Sequence, residues 1–137
     1  LYFWRDYGMI EKLIVGGSHS GKRARVEQLG FSAQDIADGG ACNLDKAFER
    51  PVLYGLHMLV RRLMREGTDP SQFVRQGLRG NKVRIVVCDE IGCGVIPIAR
   101  FERDWREQVG RILCEIAKET PSVERLFCGV PTEIKAR

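Results

Sequence analysis

The segment from Leu13 to Arg23 constrains the fold of this chain more than any other. It consists of an apolar strand, a glycine-rich stretch of the pattern G-x-x-x-x-G-K, and a basic segment of helix-forming residues. Glycines let a backbone turn tightly enough for successive N–H groups to face one anion, and a lysine adds a mobile positive charge. This order is typical of a phosphate-binding loop. The predicted nucleotide-binding residues are Gly16, Gly17, Ser18, His19, Ser20, Gly21, Lys22 and Arg23.

Arg23 occupies the position at which this pattern carries Ser or Thr. The hydroxyl at that position normally binds the Mg²⁺ that bridges the nucleotide phosphates. The pattern therefore indicates phosphate binding more strongly than phosphoryl transfer, and it leaves the need for Mg²⁺ open. The alternative is a glycine-rich turn between a strand and a helix that binds no ligand.

Composition excludes several classes of protein. The length of 137 residues suits one domain, and the net charge of +4 is mild, with basic and acidic residues interleaved, so we expect no nucleic-acid partner. No apolar run is long enough to span a membrane, so we expect no membrane partner. The cysteines form no C-x-x-C pair, which favours the reducing cytoplasm. Four of them are expected to be small buried residues: Cys88, Cys93, Cys114 and Cys128.

We divide the chain into two parts. Residues 1–8 are an N-terminal extension of uncertain origin, since Met9 could be the natural start. Residues 9–137 are expected to form a single P-loop nucleotide-binding domain.

The hydrophobic pattern predicts strands that alternate with helices. The expected strands are 12–17, 82–89 and 122–128, and the expected helices are 21–29, 51–65, 71–78 and 101–119. Residues 32–40 fit either a helix that starts at Ser32 or a short strand and turn. After Gly129 the chain is expected to turn away from the sheet. The predicted fold is α/β, a P-loop NTPase-like three-layer fold with a small, mostly parallel sheet, reduced in size.

Asp89 and Glu90 follow the most apolar of these strands. An acidic residue at the end of such a strand can hold Mg²⁺ directly or through water, although apolar strands that end in an acid are common. Parallel sheets bind ligands at the carboxyl ends of their strands, where Gly17, Asp89 and Gly129 would all emerge. The predicted catalytic residues are Lys22, Asp89 and Glu90, and either carboxylate could hold a metal through water.

Histidines and an arginine cluster admit simpler interpretations. His57 is expected in the middle of a helix, where a packing role is favoured over that of a nucleophile. His19 could donate to a phosphate or face solvent. Arg61, Arg62 and Arg65 are expected to form a solvated helix face.

Three collinear segments resemble the adenosylcobinamide kinase / adenosylcobinamide-phosphate guanylyltransferase family of cobalamin biosynthesis. Residues 16–22 (GGSHSGK) are similar to its G-G-x-x-S-G-K loop, and residues 89–97 (DEIGCGVIP) to its N-E-x-G-x-G-I-V-P segment. Residues 105–107 (WRE) and 110–111 (GR) echo an aromatic-R-D…G-R pattern. Residues 129–135 (GVPTEIK) resemble a closing G-x-P-x-x-I-K. The resemblance covers about half of the chain.

The resemblance implies a P-loop fold that uses ATP or GTP, phosphorylates the side-chain hydroxyl of a cobinamide and then transfers GMP. It also implies a homo-oligomer, a trimer. This chain departs from the family at Arg23, Asp89 and Leu113, which replace Ser, Asn and Asn. In addition, no histidine lies between Arg23 and Asp45, where the family carries the residue that accepts GMP. We therefore expect covalent GMP transfer to be lost or carried out differently.

Two other interpretations stay open. The chain could be a diverged, non-catalytic nucleotide-binding or regulatory protein of the same fold, in which Arg23 neutralises phosphate in place of a metal. It could also be a structural or assembly subunit in which residues 16–22 are only a turn.

Overall fold

A computed structural model describes residues 7–91 and 99–135 of the chain. The strands form one sheet in the order β2-β3-β4-β1-β5-β6, in which β6 is antiparallel to β5 and the other pairs are parallel. The strands are β1 (Lys12–Gly16), β2 (Ile36–Asp38), β3 (Val52–Tyr54), β4 (Ile85–Asp89), β5 (Ser122–Phe127) and β6 (Val130–Lys135). The described helices are α1 (Lys22–Gln28), α2 (Leu56–Arg65), α3 (Pro70–Leu78) and α4 (Arg100–Glu119). The α/β class and the mostly parallel sheet are thus confirmed.

Both faces of the central strands are buried, which explains why β1 and β4 are continuous apolar runs. On one face, Leu13 and Val86 pack against α2, α3 and α4. On the other face, Ile14 and Val87 pack against Val26 of α1. The helices therefore lie in two layers with the sheet between them, and they leave the carboxyl ends of the strands free to build a site.

The helix predicted through Arg65 is present, but its predicted start at Pro51 was wrong. Residues Val52–Tyr54 form β3, and α2 begins at Leu56 after Gly55, which has a φ of 87°. A left-handed φ suits glycine and breaks the chain direction between strand and helix. The apolar residues of β3 continue the helical spacing of α2. The hydrophobic periodicity alone therefore did not distinguish the strand from the helix.

The edges of the sheet are β2, which has three residues, and β6, which has six. At residues 32–40 the short strand and turn is the alternative that occurs, because Ser32 caps only one 3₁₀ turn before β2 begins. After β5 the chain does not turn away as expected, because Cys128 and Gly129 form a tight turn into β6. This β5–β6 unit is referred to below as the hairpin.

Several side chains differ from the expected burial. Cys88 is buried as predicted, but Cys114 and Cys128, which were expected to be buried, are exposed. Cys93 lies outside the described residues. Arg61 is packed rather than solvated, because it pairs with Glu102 at 2.5 Å and lies over the ring of Trp105. Arg62 is also engaged, since it donates to the carbonyls of Gly39 and Cys42.

In the described part of the chain, no helix is both long and apolar enough to cross a membrane. The cytoplasmic location, the trimer and the division at residue 9 stay predictions.

Candidate functional site

Residues 16–22, here called the glycine loop, connect the carboxyl end of β1 to the start of α1. Since β1 lies between β4 and β5, the glycine loop leaves the sheet near its centre. In the parallel register, Gly16 lies beside Asp89 of β4 and Leu126 of β5. The amide of Glu90 donates to the carbonyl of Gly16 at 2.8 Å. The glycine loop therefore begins next to the two acidic residues that end β4.

Two left-handed residues shape the glycine loop. His19 and Gly21 have φ angles of 60° and 92°, and the amide of Ser20 donates to the carbonyl of Gly17 at 3.2 Å. A Cβ added to Gly16 would overlap the hydroxyl of Ser20. Glycine at position 16 lets the strand end and the loop approach each other, and glycine at position 21 permits the left-handed turn into α1.

The hairpin supports the glycine loop from one side. The amide of Gly129 donates to the carbonyl of Ser20 at 2.8 Å. A Cβ on Gly21 would lie only 3.1 Å from the Cα of Gly129, so the two backbones are packed closely. This contact joins the first and third segments of the family resemblance in space.

Lys22 turns back into the glycine loop and is buried, with 5% of its side chain exposed. Its Nζ donates to the carbonyl of Gly17 at 2.6 Å and lies 2.8 Å from Oδ1 of Asp89 and 3.4 Å from the hydroxyl of Ser20. A buried ammonium is stable only where such partners replace water. The structure therefore brings together Lys22 and Asp89, two of the three predicted catalytic residues.

His57 contacts Asp89 through both ring nitrogens. Its Nδ1 accepts a hydrogen bond from the Asp89 amide at 3.2 Å, and its Nε2 lies 3.4 Å from Oδ2 of Asp89. Burial lowers the pKa of His57 below the usual 6.5, an effect that Asp89 opposes and Lys22 strengthens. The imidazole is therefore neutral at pH 7, and because Nδ1 is an acceptor, its proton lies on Nε2 and faces the carboxylate.

His57 was expected in mid-helix and instead lies in the first turn of α2. The backbone carbonyl of His57 accepts a hydrogen bond from Nε1 of Trp105 at 2.8 Å. Trp105 itself packs against the core, as predicted. The long helix α4 thus holds the start of α2, and the start of α2 holds Asp89.

Glu90 and Asp89 face different partners although they are neighbours in sequence. The carboxylate of Glu90 pairs with Nε of Arg125 on β5 at 3.1 Å, whereas Asp89 pairs with Lys22. The structure therefore does not bring Glu90 into the Lys22 cluster. Asp89 is the carboxylate that faces the glycine loop.

Arg23 lies on the β3 side of the glycine loop. Its guanidinium is 6.0 Å from the ring centre of Tyr54, and its Nε is 3.7 Å from Glu27 of the same helix. Ser18 and His19 are exposed on the glycine loop. None of these side chains contributes to the cluster of Lys22, Asp89 and His57.

Two further side chains near this cluster were not predicted from the sequence. They are Asp38 and Tyr54, which end β2 and β3. Burial raises the pKa of Tyr54, and the negative charges of Asp89 and Asp38 raise it further. Recognition of the two short strands would have placed both residues at the same edge of the sheet as Asp89.

The described residues hold no group of three or more His, Cys, Asp or Glu side chains arranged to bind a metal ion. Magnesium is often held by one or two carboxylates together with water and substrate phosphates. Among the described residues, Asp89 is the one carboxylate beside Lys22 that could contribute to such a site.

No protein-family model fits this chain, and no curated protein is significantly similar to it.

Proposed function

We propose that this chain binds the phosphates of ATP or GTP at the glycine loop and transfers a phosphoryl group to a hydroxyl of a cobinamide. The observation that carries the proposal is the buried Nζ of Lys22, which lies between the carbonyl of Gly17 and the carboxylate of Asp89 at the carboxyl edge of the sheet. The cobinamide acceptor is supported only by the sequence resemblance.

The backbone of the glycine loop supports phosphate binding. Within the part of the chain that is described, the amides of Ser18, His19 and Gly21 donate to no protein acceptor. Such amides and a nearby ammonium are the donors that cradle phosphate oxygens. On this proposal Lys22 exchanges its contact with Gly17 for a phosphate oxygen by a local rotation of its side chain.

Asp89 and His57 have separate roles in the proposal. Asp89 positions Lys22 and is the residue that would hold Mg²⁺, whose chemistry is to neutralise charge on the transferred phosphoryl group. His57 is a positioning residue, because its neutral ring is hydrogen-bonded to the Asp89 amide and faces the Asp89 carboxylate. The hydrogen bond occupies Nδ1 and the carboxylate faces Nε2, which argues against His57 as a covalent acceptor of GMP. We therefore propose phosphoryl transfer without that covalent step.

The second candidate is a non-catalytic nucleotide-binding protein. The absence of a hydroxyl at position 23 favours it, since Arg23 can offer charge to a phosphate but cannot bind Mg²⁺. The two candidates differ in how nucleotide affinity depends on Mg²⁺.

Calorimetric titration with ATP and GTP, with and without Mg²⁺, tests the proposal. The variants are Lys22→Ala and a matched control, Lys82→Ala, which removes an exposed lysine near the opposite edge of the sheet. We expect at least about a hundredfold loss of affinity in Lys22→Ala, which corresponds to about 2.7 kcal/mol, and no change in the control. No nucleotide binding by the wild type, or equal binding by both variants, contradicts the proposal.

Transfer of a radiolabelled γ-phosphate to cobinamide then distinguishes the candidates. The enzyme should show transfer that requires Mg²⁺ and Lys22. Tight nucleotide binding that does not depend on Mg²⁺, without transfer of the γ-phosphate to cobinamide, favours the non-catalytic protein. In that case Arg23→Ser should make binding depend on Mg²⁺.

A further inference from the structure

We propose that the cleft between the glycine loop and the hairpin is the subsite for the aromatic base of the nucleotide, with Phe127 as the stacking surface. This inference rests on the proposed function, because it locates the base of a nucleotide whose phosphates lie at the glycine loop. It adds a binding site on the β5 side of the loop, opposite the cluster of Lys22, Asp89 and His57.

The cleft has a volume of about 350 Å³, within the range of small-molecule sites. One wall is formed by the glycine loop and the other by the end of β5. Its lining includes Ser20 of the glycine loop together with Glu90, Arg125, Phe127 and Cys128. The hydrogen bond from Gly129 to Ser20 joins the two walls, so the cleft is formed before a ligand arrives.

Phe127 gives the cleft an aromatic surface. It is the last residue of β5, and 75% of its surface is exposed. Its cross-strand neighbour Val130 is exposed as well, and exposed apolar residues are ordinary by themselves. Here Phe127 borders a cleft whose other wall is the candidate phosphate site. A flat heterocycle can stack on an exposed aromatic ring, and the gain depends little on which base is present.

Polar groups accompany the aromatic ring in the cleft. Arg125 and Glu90 form an ion pair at 3.1 Å, and the side chain of Arg125 is 55% exposed. The guanidinium carries only donors and the carboxylate only acceptors. The pair therefore offers both kinds of partner to the edge of a base, which itself carries donors and acceptors.

Strand order places these parts in sequence along the edge of the sheet. The glycine loop follows β1, the cleft lies towards β5, and Asp89 lies at the end of β4. A nucleotide with its base in the cleft would extend its phosphates across the glycine loop to Lys22. Its terminal phosphate would then lie nearest to Asp89, on the side where Tyr54 and Asp38 end their strands.

The test measures the affinities of ATP, GTP and inorganic tripolyphosphate for the wild type and three variants. Phe127→Ala removes the ring, Phe127→Tyr keeps it, and Val130→Ala is the matched control, since Val130 is the exposed cross-strand neighbour of Phe127. We expect Phe127→Ala to weaken nucleotide binding about tenfold, or about 1.4 kcal/mol, and to leave tripolyphosphate binding within about twofold. Phe127→Tyr and Val130→Ala should bind nucleotides like the wild type.

The two proposals fail in different ways. If the wild type binds tripolyphosphate as tightly as nucleotides, or if Phe127→Ala weakens all three ligands equally, the base subsite is wrong and phosphate binding stands. Unchanged nucleotide affinity in Phe127→Ala also overturns the subsite. If the wild type binds none of the ligands, both proposals fail.

Photochemical cross-linking with 8-azido-ATP provides a direct second readout. The inference places the label on the tryptic peptide of residues 126–135, which contains Phe127 and Cys128. A label confined to peptides from β2, β3 or α2 would place the base on the other side of the glycine loop and overturn the inference.

Discussion

The two flanks of the glycine loop carry similar charges at different depths. On the β4 side, Lys22 pairs with Asp89 and is almost fully buried. On the β5 side, Glu90 pairs with Arg125 at nearly the same distance, but more than half of the arginine side chain is exposed. Asp89 is the last residue of β4 and Glu90 follows it. The two side chains have different surroundings because consecutive side chains point in different directions.

Depth decides what each ion pair can do. The buried ammonium of Lys22 is costly to separate from Asp89, so the contact holds it in one arrangement, ready for an anion. An exposed pair contributes little to stability and can open for a ligand at small cost. On the proposed function, the β4 side would bind the charge of the phosphates and the β5 side would recognise the rest of the ligand.

The largest expected effect comes from removing one carboxylate charge on each flank. Asp89→Asn leaves the buried Lys22 without its counter-charge, and we expect the free energy of unfolding to fall by about 2 kcal/mol. Glu90→Gln breaks an exposed pair and should cost less than about 1 kcal/mol. Urea denaturation of the two variants at pH 7 measures the difference. Equal losses would remove the distinction between the flanks.

The next prediction concerns pH and uses the two histidines. Because burial lowers the pKa of His57 below 6.5, the folded protein binds fewer protons than the unfolded chain as the pH falls below that value. The stability associated with neutral His57 is thus fully present above about pH 6.5 and is lost as the pH falls towards the folded pKa. His57→Gln should flatten this part of the curve of unfolding free energy against pH.

His19→Gln is the matched control, because His19 is exposed on the glycine loop. Urea denaturation between pH 7.5 and pH 5 should give the same curve for this variant as for the wild type. A His57→Gln curve as steep as that of the wild type would mean that other groups cause the acid sensitivity.

The sequence predicted the centre of the fold better than its edges. Long apolar runs and amphipathic spacing predicted β1, β4, β5 and α4. The strand Val52–Tyr54 was missed because its three apolar residues continue the spacing of α2. The strand Val130–Lys135 was missed because its turn is Cys-Gly, whereas turns with two positive φ angles usually carry Asn-Gly or Asp-Gly. Pro131 also suggested an end to the sheet, although proline is compatible with an edge strand.

In the candidate site, too, some contacts could be predicted from the sequence and others could not. The convergence of Lys22 and Asp89 was predictable, because parallel strands bring their carboxyl ends to one edge. The role of His57 was not, because the helix was expected to begin at Pro51, which placed His57 in mid-helix. The separation of Glu90 from Asp89 depends on the pairing of Arg125 with Glu90, a contact between residues 35 positions apart.

The smallest expected effects concern two glycines, one that contacts the hairpin and one that does not. Gly21 has a φ of 92°, and a Cβ there would lie 3.1 Å from the Cα of Gly129. We expect Gly21→Ala to lower the free energy of unfolding by about 1–2 kcal/mol. It should also weaken the contacts of a nucleotide on the β4 side and on the β5 side of the glycine loop. Gly110 lies inside α4 with nothing within 4 Å of an added Cβ, so Gly110→Ala should stabilise the protein by about 0.5–1 kcal/mol. If Gly21→Ala were neutral in both measurements, the close packing of the glycine loop against the hairpin would not be needed, and the two walls of the cleft would be independent.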